Sequence, residues 1–195
     1  MRESLRLFAE LTESYTVLDT ETTGLPDELG FPGIVTLGLV RVEEGLEAES
    51  IEFKIKPYRK ISLEAKNIHG ISNEEANTFQ PFDHQWPQIK PWLDGQLVVI
   101  HNKSFDWPII ESHLIRYQCE PPVPIDVFCS QKAAIKFASE EKIPMSTRGP
   151  SLDELSSYFG IESMRINGIH GAKVDAIQTA LVIEQLRAKS KMSSW

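Results

Sequence analysis

Three short segments carry the residues best equipped for chemistry: Asp19-Thr20-Glu21-Thr22-Thr23-Gly24-Leu25, His101-Asn102-Lys103-Ser104-Phe105-Asp106 and His170-Gly171-Ala172-Lys173-Val174-Asp175. Between them, Asp19, Glu21, Asp106 and Asp175 offer four carboxylates and His170 one imidazole. Carboxylate oxygens suit hard divalent cations, and a neutral histidine suits deprotonation of water. That is the equipment of a two-metal phosphodiesterase. Taken singly, each group has an ordinary reading. An Asp-x-Glu pair is often a charged edge strand, an acid in a first helical turn often only favours the helix dipole, and a histidine beside glycine is often a surface residue. Order and combination raise the set above these readings.

The elements around them fit that use. Asp19 and Glu21 are two apart on an apparent strand, Tyr15 to Glu21, so both side chains leave one face. Val17 and Leu18 mark the strand as buried, where two unpaired acids are expensive and a cation between them relieves the repulsion. Thr22, Thr23 and Gly24 then turn the chain, and their N–H groups can meet a phosphate or a sugar hydroxyl. Asp106 falls in the first turn of a helix from Phe105 to Tyr117, with Ser104 as N-cap and Pro108 still in that turn. Gly171 separates His170, on a loop, from Asp175 in the first turn of a helix from Ala172 to Lys189, whose apolar stripe reads Val174, Ile177 and Leu181.

The remaining pattern is strands at Ile34 to Val42 and Ser50 to Lys56 joined by Glu43-Glu44-Gly45, then helices capped by Ser62 and Ser72. Phe82, Trp86, Ile89 and Leu93 recur at helical spacing. A buried strand at Gln96 to His101 and a short one at Pro124 to Phe128 follow. Ser151 with Glu154 forms a capping box, and Gly160 ends that helix. Glu3 to Leu11 reads as a leading helix and Ser139 to Pro150 as a mobile loop. Hairpin strands followed by alternating strands and helices predict an α/β fold with a mixed sheet covered by helices.

Bulk composition narrows the classes. The chain has 195 residues, 41% of them hydrophobic and 25% charged, which suits one domain with a proper core. No apolar run is long enough to span a bilayer and no signal peptide is read at the N-terminus, so the expected setting is cytoplasmic. Cys119 and Cys129 form neither a metal spacing nor a disulfide framework. A net charge of −8 argues against a broad basic groove for duplex binding. It fits an enzyme with a metal-loaded cleft that touches a chain end. Lys103, Lys173 and Arg148 near the motifs could steer a phosphate backbone but each singly reads as ordinary surface charge, and His84, His101 and His113 read as structural. Asp126 reads as support for a strand–helix junction.

The chain resembles the DEDDh 3′–5′ exonuclease family. The motifs that carry the resemblance are Asp19-x-Glu21, Asp106 and His170-x-x-x-x-Asp175, with Ile68-His69-Gly70-Ile71 between them. It covers Tyr15 to Leu186, and the first motif is nearest to the epsilon-type DNA exonucleases of bacterial DNA polymerase III. The resemblance implies a ribonuclease-H-like fold, with a five-stranded mixed sheet and helices on both faces, as a single exonuclease domain (1–195, core about 15–187). It implies that Asp19, Glu21, Asp106 and Asp175 hold two Mg²⁺ ions, replaceable by Mn²⁺, and that His170 is the general base. Thr22, Thr23, Gly24, Leu25, His69, Ile71 and Asn102 are then expected at the terminal nucleotide. Phe105 is open between that pocket and helix-to-sheet packing.

The implied product is a nucleoside 5′-monophosphate. The implied partners are single-stranded 3′ ends, DNA favoured, together with proteins of replication or repair and no membrane. An RNA-trimming exonuclease with the same chemistry is the alternative, and a non-catalytic binding subunit a further one. Trp107 and Pro108 depart from the family pattern and are expected to reshape the pocket wall. Only a short tail follows the last helix, so no polymerase-tethering segment of the epsilon kind is expected.

Overall fold

The structure is a computed structural model and describes residues 3–192; the end of the C-terminal tail lies outside them. A 3-10 turn at Glu3–Leu5 leads into α1 (Arg6–Ala9). Then follow β1 (Tyr15–Thr22), β2 (Ile34–Glu43), β3 (Leu46–Lys56), α2 (Leu63–His69), α3 (Asn73–Ala76), β4 (Gln80–Pro81) and α4 (Phe82–Ile89). The chain closes with β5 (Leu97–Ile100), α5 (Lys103–Tyr117), β6 (Asp126–Cys129), α6 (Ser130–Glu140), α7 (Leu152–Phe159) and α8 (Ala172–Met192).

The strands form one mixed sheet in the order β4-β3-β2-β1-β5-β6. β1 is antiparallel to β2 and parallel to β5, and β5 is parallel to β6. Six strands stand where five are expected, because two-residue β4 adds to the edge of β3. The β2–β3 hairpin turns on Glu44 and Gly45, with φ of 52° and 78°. Two left-handed residues make the turn whose twist matches the strands. β3 begins four residues earlier than expected, since Leu46 to Glu49 are exposed and lack the alternation that marks a buried face.

Period-two alternation divides the core between the two faces of the sheet. Leu18, Leu37, Leu39, Val98 and Ile100 pack with Phe82, Trp86, Ile109 and Ile110 of α4 and α5. Tyr15, Val17, Val40, Val42 and Val99 pack with Ala176, Ala180 and Ile183 of α8. Asp19 and Glu21 continue the α8 face of β1, whereas Thr20 continues the α5 face.

Two local expectations are corrected. α5 starts at Lys103, and its N-cap is Asn102 in the left-handed region (φ 68°), which asparagine tolerates. Ser104 makes no cap; its hydroxyl donates to Asn102 Oδ1 at 2.9 Å. Pro108 therefore lies inside the helix rather than in its first turn. On α8 the sheet-facing stripe is Ala172, Ala176 and Ala180, while Leu181 is exposed.

The reason for the small stripe is close approach. Gly38 sits opposite Asp19 in the β1–β2 pair. A Cβ on Gly38 would lie 2.3 Å from the backbone of Ala172 and Lys173. A side chain at position 38 would hold the start of α8 off the sheet, and the helix turns small alanines inward near it, so its apolar period alone does not give its buried face.

Among the described residues no helix is long and apolar enough to cross a membrane. Gly38→Ala is expected to destabilise the fold by about 3 kcal/mol or more, because its neighbours are backbone atoms that cannot rotate away. Urea unfolding monitored by circular dichroism measures this; a loss under 1 kcal/mol would contradict the close approach.

Candidate active site

Asp19 and Glu21 project from the C-terminal half of β1 toward α8. Asp106 reaches the same place from the first turn of α5, and Asp175 from the first turn of α8. Glu21, Asp106 and Asp175 are 8%, 3% and 5% exposed, and Asp19 is partly buried. Thr20, on the far face of β1, donates its hydroxyl to Asp106 Oδ1 at 2.7 Å. That bond fixes α5 to the central strand beside the acids. Ligand atoms of Glu21, His170 and Asp175 lie within 4.8 Å of one another.

The electrostatics are those of crowded acids. Burial, then the charges of Asp106, Glu21 and Asp175, pushes the Asp19 carboxyl well above its ordinary value. Burial and Asp175 raise Glu21 to about 7. Burial raises Asp106 to about 7 against the opposing hydrogen bond of Thr20. Asp175 goes the other way: burial pushes it up, but hydrogen bonds from His170 and Arg165 outweigh that and hold it below the usual range. Two carboxylates and an imidazole within reach of one ion, with partly buried Asp19 and buried Asp106 beside them, fit a hard divalent metal.

His170 lies on the loop before α8. Its Nδ1 is 3.0 Å from Asp175 Oδ2. A carboxylate only accepts, so Nδ1 carries the hydrogen and Nε2 of the neutral ring keeps its lone pair. The same bond raises the His170 pKa, against burial and the charge of Arg165. The loop is anchored by His170 N–H donating to the Ile68 carbonyl at 2.9 Å.

Arg165 is a site residue that sequence reading missed. Its Nε and Nη2 donate to the two oxygens of Asp175 at 2.8 and 3.0 Å, and its Nη1 to both oxygens of Asp153 at 2.8 Å. The side chain is only 8% exposed. One guanidinium thus ties the His170 loop to α7 and α8, in the paired geometry that arginine offers carboxylates. An arginine in an irregular segment, five residues before His170, has no periodic signal to betray it.

Beside the acids lies a pocket of about 460 Å³, lined by Glu21, Thr22, Gly24, Leu25, His69 and Phe105 among others. That volume suits one nucleotide-sized ligand. His69 accepts from Ile71 N–H through Nδ1, and its buried Nε2 has no partner. Phe105 both lines this pocket and packs on the core, so its two readings are compatible.

Three of the expected nucleotide residues, Thr23, Ile71 and Asn102, are not among those lining this pocket. Thr23 accepts from Gly33 N–H and ties down the loop instead of lining the pocket. Asn102 caps α5. Ile71 packs on Val35, Ile61, Ala65 and Ala76, while Ile68 lines the pocket in its place. His101 and His113 are structural as expected: His101 lies near Ser130 and Pro150, and His113 accepts from Ile34 N–H. Asp126 accepts from Val127 N–H at the start of β6.

Such a sheet, with acids at the end of its central strand, has the ribonuclease-H-like architecture of exonucleases, and solved structures agree. The nuclease domain of 3′hExo, described as a DEDDh family member, superposes with a TM-score of 0.73 over 92% of this chain and 94% of that one, at 12% identity. Exonuclease X in complex with 5′ overhanging duplex DNA superposes at 0.64 over 91% and 93%, at 23% identity. A family model described as Exonuclease (RNase T) matches residues 16–183. The chain belongs to the RNase T/DEDDh exonuclease family.

Among named relatives, the DNA polymerase III subunit epsilon of Salmonella typhimurium is 31% identical over 165 residues, 82% of this chain and 65% of that protein. The PolC-type DNA polymerase III of Thermotoga petrophila is 28% identical over 172 residues, 87% of this chain and 11% of that protein. The chain thus spans about a tenth of the one and under two thirds of the other.

Burying a carboxylate in this cluster has a measurable cost. The folded-state pKa of Asp106 is raised to about 7 from 3.8. The folded protein therefore binds more protons than the unfolded one between these values, and stability falls as pH rises through that window. In EDTA, Asp106→Asn is expected to match wild type near pH 4. It should gain on the order of a few kcal/mol by pH 8, since each pKa unit is worth about 1.4 kcal/mol. Urea titrations at both pH values check this; a gain independent of pH would contradict it.

Proposed function

We propose that this chain is a metal-dependent 3′–5′ exonuclease that removes single nucleotides from single-stranded DNA ends as 5′-monophosphates. The observation that carries the reading is the position of Glu21, which belongs to the acidic cluster and also lines the nucleotide-sized pocket. A terminal nucleotide seated there brings its phosphate against the acids and His170. We further propose that residues 1–195 act as one exonuclease domain, with its core at about 15–187.

Asp19, Glu21, Asp106 and Asp175 would hold two Mg²⁺ ions, and Mn²⁺ should substitute, because all four donors are hard oxygens. Bound there, such ions supply charge neutralisation at the phosphate and acidify water. The protein's own groups do the rest. His170 Nε2 takes the proton from the attacking water, while Asp175 holds the ring in the tautomer that permits it. Gly24, with φ of 151°, and Thr22, whose hydroxyl donates to the Gly24 carbonyl at 2.8 Å, shape the backbone along the pocket wall. Leu25 and Phe105 offer apolar surface to the base. DNA is favoured over RNA by the Asp19-Thr20-Glu21-Thr22-Thr23-Gly24 segment and by relatives named as DNA polymerase subunits.

The test is a time course on 5′-labelled single-stranded DNA and RNA of matched sequence. A ladder shortening one nucleotide at a time is expected with Mg²⁺ and none with EDTA. His170→Ala should lower kcat by about 10²–10⁴-fold, the usual worth of a positioned general base. Asp19→Ala should abolish cleavage. Faster loss of RNA would reassign the substrate while keeping the chemistry. Activity retained in Asp19→Ala would sink the assignment.

A further inference from the structure

A second hollow of about 300 Å³ lies on the other side of Asp106, lined by Lys103, Ser104, Trp107 and Pro108 of α5, Val127 and Cys129 of β6, and Lys132 of α6. Its charge is opposite to that of the chain. The protein carries −8 overall, yet the described lining holds two lysines and no acid. Lys103 is held at the wall by donating Nζ to the Val127 carbonyl at 2.6 Å. Lys132 is exposed on the first turn of α6 and makes no ion pair among the described residues. Trp107 is partly buried, its inner part against the core and the rest on the hollow.

The helix geometry relates the hollow to the active site. At about 100° per residue, Phe105, Asp106 and Trp107 point in three successive directions around α5, and Lys103 points near Trp107 one turn earlier. Asp106, Ile109, Ile110 and His113 form the buried stripe. Phe105 stands on one flank of that stripe and lines the nucleotide pocket. Lys103 and Trp107 stand on the other flank and line the hollow. The carboxylate of Asp106 therefore lies between the two cavities.

We infer that this hollow is a second nucleotide subsite, which takes the strand 5′ of the scissile bond by stacking a base on Trp107 and pairing backbone phosphate with Lys103 and Lys132. The inference rests on the exonuclease reading above. Aromatic platforms flanked by cations bind single strands without regard to sequence, which suits an enzyme that must advance along any end. Trp107, which departs from the family pattern, thereby acquires a role of its own.

The test compares kcat/KM for a single-stranded octanucleotide with kcat/KM for the p-nitrophenyl ester of thymidine 5′-monophosphate, which has no upstream strand. Lys132→Glu and Trp107→Leu are each expected to shrink the preference for the octanucleotide about tenfold, through KM. Lys132→Glu should also reduce the salt slope of log KM by about 0.7, the value of one single-strand phosphate contact. Equal losses on both substrates, or no change, would overturn the subsite. A wild type that cleaves neither substrate sinks the exonuclease reading. Fluorescence anisotropy with the labelled octanucleotide then decides the hollow alone: binding weakened by Lys132→Glu supports it, and unweakened binding overturns it.

Discussion

Burial of Asp19, Glu21, Asp106 and Asp175 beside one another is the cost that the surrounding structure must offset. Four carboxylates from three elements meet in a region where water reaches little of them. Burial disfavours their charged forms and holds Asp106 above its ordinary pKa, and for Asp19 and Glu21 the charges of neighbouring acids add to it. A chain selected only for stability would place apolar residues at the end of its central strand. Retaining acids there trades stability for a site that can hold cations.

Several neutral features exist to hold the acids in place. Thr20 couples β1 to α5 through Asp106. Gly38 lets α8 approach the β1–β2 pair closely enough for Asp175 to join Asp19 and Glu21, and the alanines of α8 match that clearance. Arg165 supplies the positive charge that the cluster otherwise lacks among its protein partners, and it spreads that charge between Asp175 and Asp153. His170 depends on this scaffold twice, through its bond to Asp175 and through the backbone bond that ties its loop to α2. Because α2 also lines the pocket beside the acids, that backbone bond links the His170 loop to the pocket wall.

Helix α5 divides the surroundings of the site. Its buried stripe anchors the α5 face of the sheet, and its two flanks open onto different cavities. One flank is apolar and acidic, suited to a terminal nucleotide beside metal ions. The other is cationic and aromatic, suited to the strand 5′ of the terminal nucleotide. A single turn of helix can serve both because successive residues diverge by about 100°.

The candidate residues stood out in the sequence because charge is costly on a strand that its apolar neighbours mark as buried. Acids two apart on a buried strand, and a histidine beside glycine just before a helix, resist an ordinary explanation once they occur together and in order. Strand alternation and side-chain capping were legible too, since they are local: Ser62, Ser72 and Ser151 cap helices as their neighbours require. What the sequence could not express was clearance and long-range pairing. The buried face of α8 follows from a glycine on another element, not from its own apolar period. The start of α5 follows from a left-handed asparagine, not from the serine two residues on. Arg165 matters only because the fold carries Asp153 and Asp175 to either end of its guanidinium. Local pattern determined which residues could act and on which elements they lie; the separation between packed elements, a property of the whole tertiary structure, decided which of them meet.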